Sequence, residues 1–397
     1  MAIIKMHFKT SVAALASISA LAAAQAPSID QWTQQEINNG TAWTEVTQIA
    51  SENQIYNLGT RGDVSCQYGN AKVRKEFRYM SNEDRKAFTD AATCLMKTPP
   101  QHMRADQAKN YPGVKSRHDE YVATHINMTM NIHATADFLA WHRNFIWHYE
   151  SDLKTLCGYE GTLPYWNWAL DAAAPQDSPL FNGDEYSMGS NGEYISGRSD
   201  TYLYTQGINM PPGTGGGCVN SGPFKSVQLH LGPLDLPNAE NVNSNYQYNP
   251  RCLKRDFNSF FSNSYNTISN VTELVLESIY LEDFQDRMQG YASGDPFGVH
   301  GGGHWTVGGD ASDFHSSPND PLFFLHHGMI DYIWTTWQNL DIYRRQLIIK
   351  GTSTLGNSPP SAEMTLDDMI PFGFVTGDVE FRKLMDTFGD AYCYRYE

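Results

Sequence analysis

Four stretches of the chain carry apolar residues at three- and four-residue spacing: Ser81 to Lys97, Tyr121 to Cys157, Asn270 to Met288 and Pro321 to Ile349. Each predicts helix with one buried face. Between the second and third, residues 171–250 break the pattern with Gly, Asn, Ser and Pro, including Pro211, Pro212 and the run Gly215, Gly216, Gly217. That composition predicts a long loop excursion joining two helical halves. A short echo links the halves. Phe138 precedes His142, and Phe323 precedes His327, by four residues, one helical turn.

Ahead of these elements, Lys5 and Lys9 precede an apolar run from Ser11 to Ala24 that ends in small residues. This is the layout of a secretory signal peptide, so residues 1–26 are expected to be removed, with cleavage between Ala22 and Ala26. No later stretch approaches the ~18 apolar residues of a membrane span, and the mature protein is expected to be secreted. Six cysteines, Cys66, Cys94, Cys157, Cys218, Cys252 and Cys393, suit that compartment. They allow three disulfides in fifteen pairings, among which the sequence does not choose. Sequons at Asn39, Asn127 and Asn270 fit a glycoprotein carrying N-glycans.

With 397 residues, 41% apolar and 13% aromatic, the chain can bury a large core, which excludes a disordered or fibrous protein. Its 28 basic and 44 acidic residues give a net charge of −16. Such a chain is repelled by phosphate backbones and anionic bilayers, so neither nucleic acid nor membrane is expected as a partner.

The thirteen histidines are bunched. His125, His133, His142 and His148 lie in the first half; His300, His304, His315, His326 and His327 lie in the second. His300 and His304 stand four apart, so on a helix both rings reach one ion. His142 and His327 follow apolar and aromatic runs that would bury them. Buried neutral imidazoles without a neighbouring thiolate or carboxylate suit copper, and three plus three suggests two ions with positions left open for a small ligand. A zinc peptidase would need a Glu between His300 and His304, where Gly301, Gly302 and Gly303 stand. A serine hydrolase would need a Gly-x-Ser-x-Gly elbow, which the chain lacks.

Together, the segments from His133 to Arg143, Pro164 to Trp168, His300 to Gly309 and Ser317 to Asp331 resemble the coupled binuclear, or type 3, copper family of tyrosinases, catechol oxidases and hemocyanins. The resemblance runs from about Tyr121 to Tyr396 and is nearest to short secreted fungal polyphenol oxidases. It implies a mainly α fold, in which an antiparallel four-helix bundle holds two copper ions beneath long surface loops and a few short strands. Residues 27–397 would then form a single catalytic domain. It further implies His125, His133 and His142 on one copper and His300, His304 and His327 on the other, with His326 turned away and Phe323 packed against the ligand rings. Arg143 and Asp331 would fix the ligand helices or form an ordinary ion pair between them. Gly301 stands where strong monophenol hydroxylases often carry Asn, Trp305 should crowd the entrance, and Val299, Phe314 and Trp305 are candidate gates.

Departures from the family pattern matter. Asn131 replaces the Cys that forms a thioether with a ligand His in many relatives, Asn167 replaces an Asp, and Met329 Ile330 Asp331 Tyr332 replaces Asn-x-Asp-Arg. Tyr394 and Tyr396 look like the tyrosine motif that closes the catalytic domain in relatives, and no C-terminal plug is expected over the entrance. Tyr291 and Ala292, nine and eight residues before His300, offer no carboxylate to take a phenolic proton. The resemblance therefore implies oxidation of o-diphenols, and of o-aminophenols, to quinone-type products with dioxygen reduced to water. Tyrosinase activity and a hemocyanin-like dioxygen carrier are the alternatives. Small phenols and dioxygen are the implied partners; the oligomeric state is left open.

Overall fold

The computed structural model describes residues 26–62, 65–237, 239–291, 294–389 and 392–397. The signal-peptide expectation therefore falls almost wholly outside the described residues, as does Ala292. Helix accounts for 45% of the chain and strand for 9%, which makes the protein mainly α.

The helices are α1 (Gln34–Asn38), α2 (Thr41–Thr60), α3 (Asn82–Leu95), α4 (Arg117–Met128), α5 (Phe138–Cys157), α6 (Ser259–Tyr265), α7 (Ile268–Glu277), α8 (Leu281–Gln289), α9 (Gly298–Val307), α10 (Leu322–Leu340) and α11 (Ile342–Arg345). Local chemistry sets their ends. Ser116 and Asp119 form a reciprocal capping box that starts α4, and Gly158, at φ 69°, closes α5 in the left-handed conformation. The predicted helix from Tyr121 to Cys157 is two helices. The chain breaks between Met128 and Phe138, where Ala134 takes a positive φ of 48° and His133 leaves the helical path. Helix α2 escaped the periodicity reading because its apolar residues form no continuous stripe.

Helix α10 is the axis of the bundle. All of its residues but Tyr332 are buried, as a helix apolar on every side must be. Helix α5 packs along one side of it and α2 along another, while α9 meets it near the histidines. The strands are short. Lys72–Arg74 pairs in parallel with Tyr394–Tyr396, so the chain's end is stitched back to its beginning. Within residues 171–250, the hairpin of Thr201–Leu203 and Ile208–Met210 and the pair Gly192–Tyr194 with Gly216–Val219 give the expected excursion its little regular structure. All six cysteines are bridged, as Cys66–Cys393, Cys94–Cys157 and Cys218–Cys252. Among the described residues no helix is long and apolar enough to cross a membrane.

Candidate metal centre

Helices α4, α5, α9 and α10, with His133 from the turn between α4 and α5, aim seven imidazoles into the middle of the bundle. His125, His133 and His142 form one group, and His300, His304, His326 and His327 form another; within each group the candidate ligand atoms lie within 4.8 Å of one another. The groups face each other, with the His142 and His327 rings stacked at 4.3 Å between centroids and His133 and His300 at 5.9 Å.

Four rings are oriented by backbone carbonyls. Nδ1 lies 2.7 Å from the His315 carbonyl in His125, 2.9 Å from that of Thr129 in His133, 2.8 Å from that of Phe138 in His142 and 2.8 Å from that of Ala311 in His304. A carbonyl only accepts, so each Nδ1 carries the proton and donates it, and each Nε2 keeps its lone pair. The echo between the halves now has a structural meaning. Phe138 supplies the carbonyl one turn before His142, and the Phe323 ring stands 4.2 Å from that of His327.

A cation fits these donors. The Nε2 atoms of His125, His142 and His327 are buried without a hydrogen-bond partner, and those of His300 and His304 point at each other across 3.2 Å. With Nδ1 protonated, the Nε2 lone pairs of His125, His142 and His304 converge in the bundle interior and call for a positive charge between them. Protons are poorly suited to the task. Burial, reinforced by the neighbouring imidazoles, holds His125, His142, His300 and His327 well below the ordinary histidine range. Burial likewise lowers His133 to about 3 and His304 to about 4, so all six are neutral at pH 7 and available to a metal.

His326 does not turn away, contrary to expectation: its ring lies 4.5 Å from that of His304. Its chemistry nevertheless differs from its neighbour's. The Trp168 indole N–H, which can only donate, gives its hydrogen to His326 Nδ1 at 3.2 Å. The neutral ring must then carry its own proton on Nε2 and has no free lone pair. His327 has both nitrogens buried and unpartnered. Gly303 makes room for this arrangement, since a Cβ there would come within 2.3 Å of the His326 ring.

The remaining predicted residues are placed as follows. Phe323 lies beneath both groups, 5.4 Å from His125 and 5.7 Å from His304 between ring centroids. Gly301, Trp305 and Phe314 line a cavity of about 760 Å³ above the histidines, to which His133, His300 and His304 also contribute. Phe314 packs 4.9 Å from the His133 ring, and Trp305 leans on Phe261 and Phe297. Val299 is buried in the core and does not line that cavity, because it faces inward from α9. Arg143 and Asp331 do bond each other, at 2.6 Å, within a larger hub. Asp331 also receives Arg74 at 3.4 Å and the hydroxyls of Tyr394 and Tyr396 at 2.7 and 2.5 Å. Burial alone would raise the Asp331 carboxyl; the two guanidiniums and two phenols instead hold it below its ordinary value. No sulfur is left for a thioether, and Asn131 bonds the Ser353 carbonyl.

Two carboxylates reach the cavity from segments the sequence did not single out, Asp235 and Asp313. Asp313 accepts four backbone N–H groups, from Leu234, Asp235, His315 and Ser316 at 2.6 to 3.0 Å, which folds the loop over the site and uses up its oxygens. Asp235 is exposed, and burial of part of its surface, together with Asp313, raises its carboxyl. No periodicity or spacing connects a loop residue at 235 with a helix at 300.

Residues 115–340 match the family model described as the common central domain of tyrosinase. Tyrosinase P of Aspergillus terreus is 37% identical over 333 residues, covering 82% of this chain and 91% of the relative. N-acetyl-6-hydroxytryptophan oxidase of Emericella nidulans is 37% identical over 349 residues, covering 84% and 94%. Among solved structures, a mutant polyphenol oxidase from Thermothelomyces thermophila superposes with a TM-score of 0.84 at 35% identity over 90% of this chain and 98% of that one. With its paired histidine groups fitting the two copper ions that the family binds, the chain belongs to the tyrosinase family of oxidases.

Proposed function

We propose that this protein is a secreted o-diphenol oxidase, acting also on o-aminophenols, in which residues 27–397 form one catalytic unit. His125, His133 and His142 would hold one copper and His300, His304 and His327 the other. The copper pair supplies the redox chemistry: two o-diphenols give up four electrons and four protons, one dioxygen becomes two waters, and two o-quinones leave. The chain's own residues do the placing. Backbone carbonyls fix the imidazole tautomers, Phe323 keeps the floor dry, and Phe314 and Trp305 offer flat walls against which a phenol ring can lie. Export is supported by three disulfides, which persist in oxidising compartments, and by the N-terminal layout. Asn39 and Asn127 are exposed, as glycan acceptors must be.

Gly301 carries the preference for diphenols over monophenols. It lies on the cavity wall beside His300 and has no side chain with which to hold a water. A monophenol must give up a proton whose ordinary pKa is near ~10, so at neutral pH it needs a base. A second reading, tyrosinase activity, has Asp235 in its favour, because that carboxylate could receive the proton. Steady-state rates with tyrosine and 4-tert-butylcatechol decide between them. The wild type should oxidise the catechol more than about tenfold faster, and Gly301→Asn should narrow the gap. Equal wild-type rates would sink the diphenol reading, with Asp235→Asn then expected to suppress hydroxylation. Absence of turnover with either substrate would favour a dioxygen carrier.

A further inference from the structure

The cavity above the histidines does not end at Trp305. A second cavity of about 1040 Å³ adjoins it, and Tyr202, Tyr204, Leu236, Pro237, Trp305 and Ser312 line both. Each has the size that encloses a whole drug-sized ligand, far more than one phenol ring requires. At the junction, the hairpin carrying Thr201–Leu203 and Ile208–Met210 presents two tyrosines to solvent. Tyr204 is 87% and Tyr202 47% exposed, with their rings 4.9 Å apart and nearly perpendicular. Large aromatic faces left bare beside a site offer a stacking surface. The outer cavity is also rich in hydrogen-bonding groups. Arg198 pairs with Asp256 and Arg251 with Asp310 in its wall, and the exposed Lys254 and the half-buried Asn249 line it as well.

We propose that the two cavities form one divided substrate site, the inner part taking the o-diphenol ring and the outer part a second, hydroxyl-bearing ring system stacked on Tyr202 and Tyr204. The inference rests on the o-diphenol reading and narrows its substrates to polar phenols of two or more rings. It also assigns a role to the loop-rich excursion, which supplies most of the outer cavity's wall.

The test compares catechin, an o-diphenol joined to a polyhydroxylated ring system, with 4-methylcatechol on the copper-loaded, full-length protein. The wild type should show a kcat/KM for catechin about tenfold above that for 4-methylcatechol, expressed mainly in KM. Tyr204→Ala should remove most of that advantage. Pro212→Trp, which fills the outer cavity from its exposed rim, should abolish it while leaving 4-methylcatechol turnover unchanged. A wild type without preference for catechin, or a preference that survives both substitutions, overturns the divided site while the o-diphenol reading stands. Failure of the wild type to oxidise 4-methylcatechol removes that reading and the divided site with it.

Discussion

His326 and His327 are adjacent, equally buried and on one helix, yet a single indole N–H separates their chemistry. Trp168 occupies the Nδ1 lone pair of His326, whose Nε2 is buried without a partner, whereas both nitrogens of His327 are unpartnered. The expected consequence is measurable as metal content: His326→Ala retains two coppers per chain, whereas His327→Ala loses at least one. If His326→Ala is the variant that loses copper, the pair has been assigned backwards. Trp168→Phe, which frees the His326 lone pair, should alter the copper absorption spectrum while the chain stays folded. Five of the six proposed ligands, His133, His142, His300, His304 and His327, sit in short local motifs of the sequence, and His125 stands outside them. Asp235 and the Trp168 bond could not be read there, since each depends on segments that meet only in the folded molecule.

At the scale of elements, the run His300 Gly301 Gly302 Gly303 His304 divides its labour. Gly302 and Gly303 let α9 approach α6 and α10, where a Cβ would come within 2.4 Å of Tyr265 and 2.3 Å of His326, while Gly301 meets only the Phe297 ring at 3.3 Å. Gly303→Ala should therefore cost about 1–3 kcal/mol in denaturant unfolding, and Gly301→Ala much less. The hub between α5, α10 and the terminal strand predicts a larger effect. Asp331→Asn leaves the buried Arg143 without its counter-charge and should destabilise by about 3–5 kcal/mol. Helices α3, α5, α7, α8 and α10 were legible from apolar spacing, but α2, α6 and α9 and the breaks between helices were not. The turn holding His133 is set by a positive φ at Ala134 and by a bond to the Thr129 carbonyl, and neither has a periodic signature.

For the whole molecule, six imidazoles held neutral by burial make stability depend on pH. Their folded-state values lie below the 6.5 of an unfolded chain, with His304 at about 4 and His133 at about 3. Below pH 6.5 the unfolded chain binds protons that the folded chain refuses, so this stability is complete above that pH and is lost as pH falls. The slope is at most about 1.4 kcal/mol per pH unit for each histidine. Carboxyls raised by burial, Asp137 to about 6 with Glu76, Asp235, Asp286 and Asp310 raised as well, act in the opposite sense, while His118, His148 and His326, lowered by burial, act with the six. The copper-free protein should therefore melt lower at pH 5 than at pH 7, and copper should raise the pH 7 value; equal melting at both pH values would contradict the burial of these rings. Thiol titration of the denatured, unreduced protein should find none, in keeping with three bridges.

The bridge from Cys66 to Cys393 spans 327 positions and binds the two ends of the chain covalently, beside the parallel pairing of Lys72–Arg74 with Tyr394–Tyr396. Mechanically, residues 66–393 form a closed ring, from which a tail carrying α1 and α2 leads off. Tension applied to the termini bypasses everything inside the ring, including all seven central imidazoles. In an optical trap, only the tail carrying α1 and α2 should peel away, and extension should stop there until a reductant cuts the loop. A protein so connected can be tethered to a cell wall or a bead by either end and pulled without its centre bearing the load.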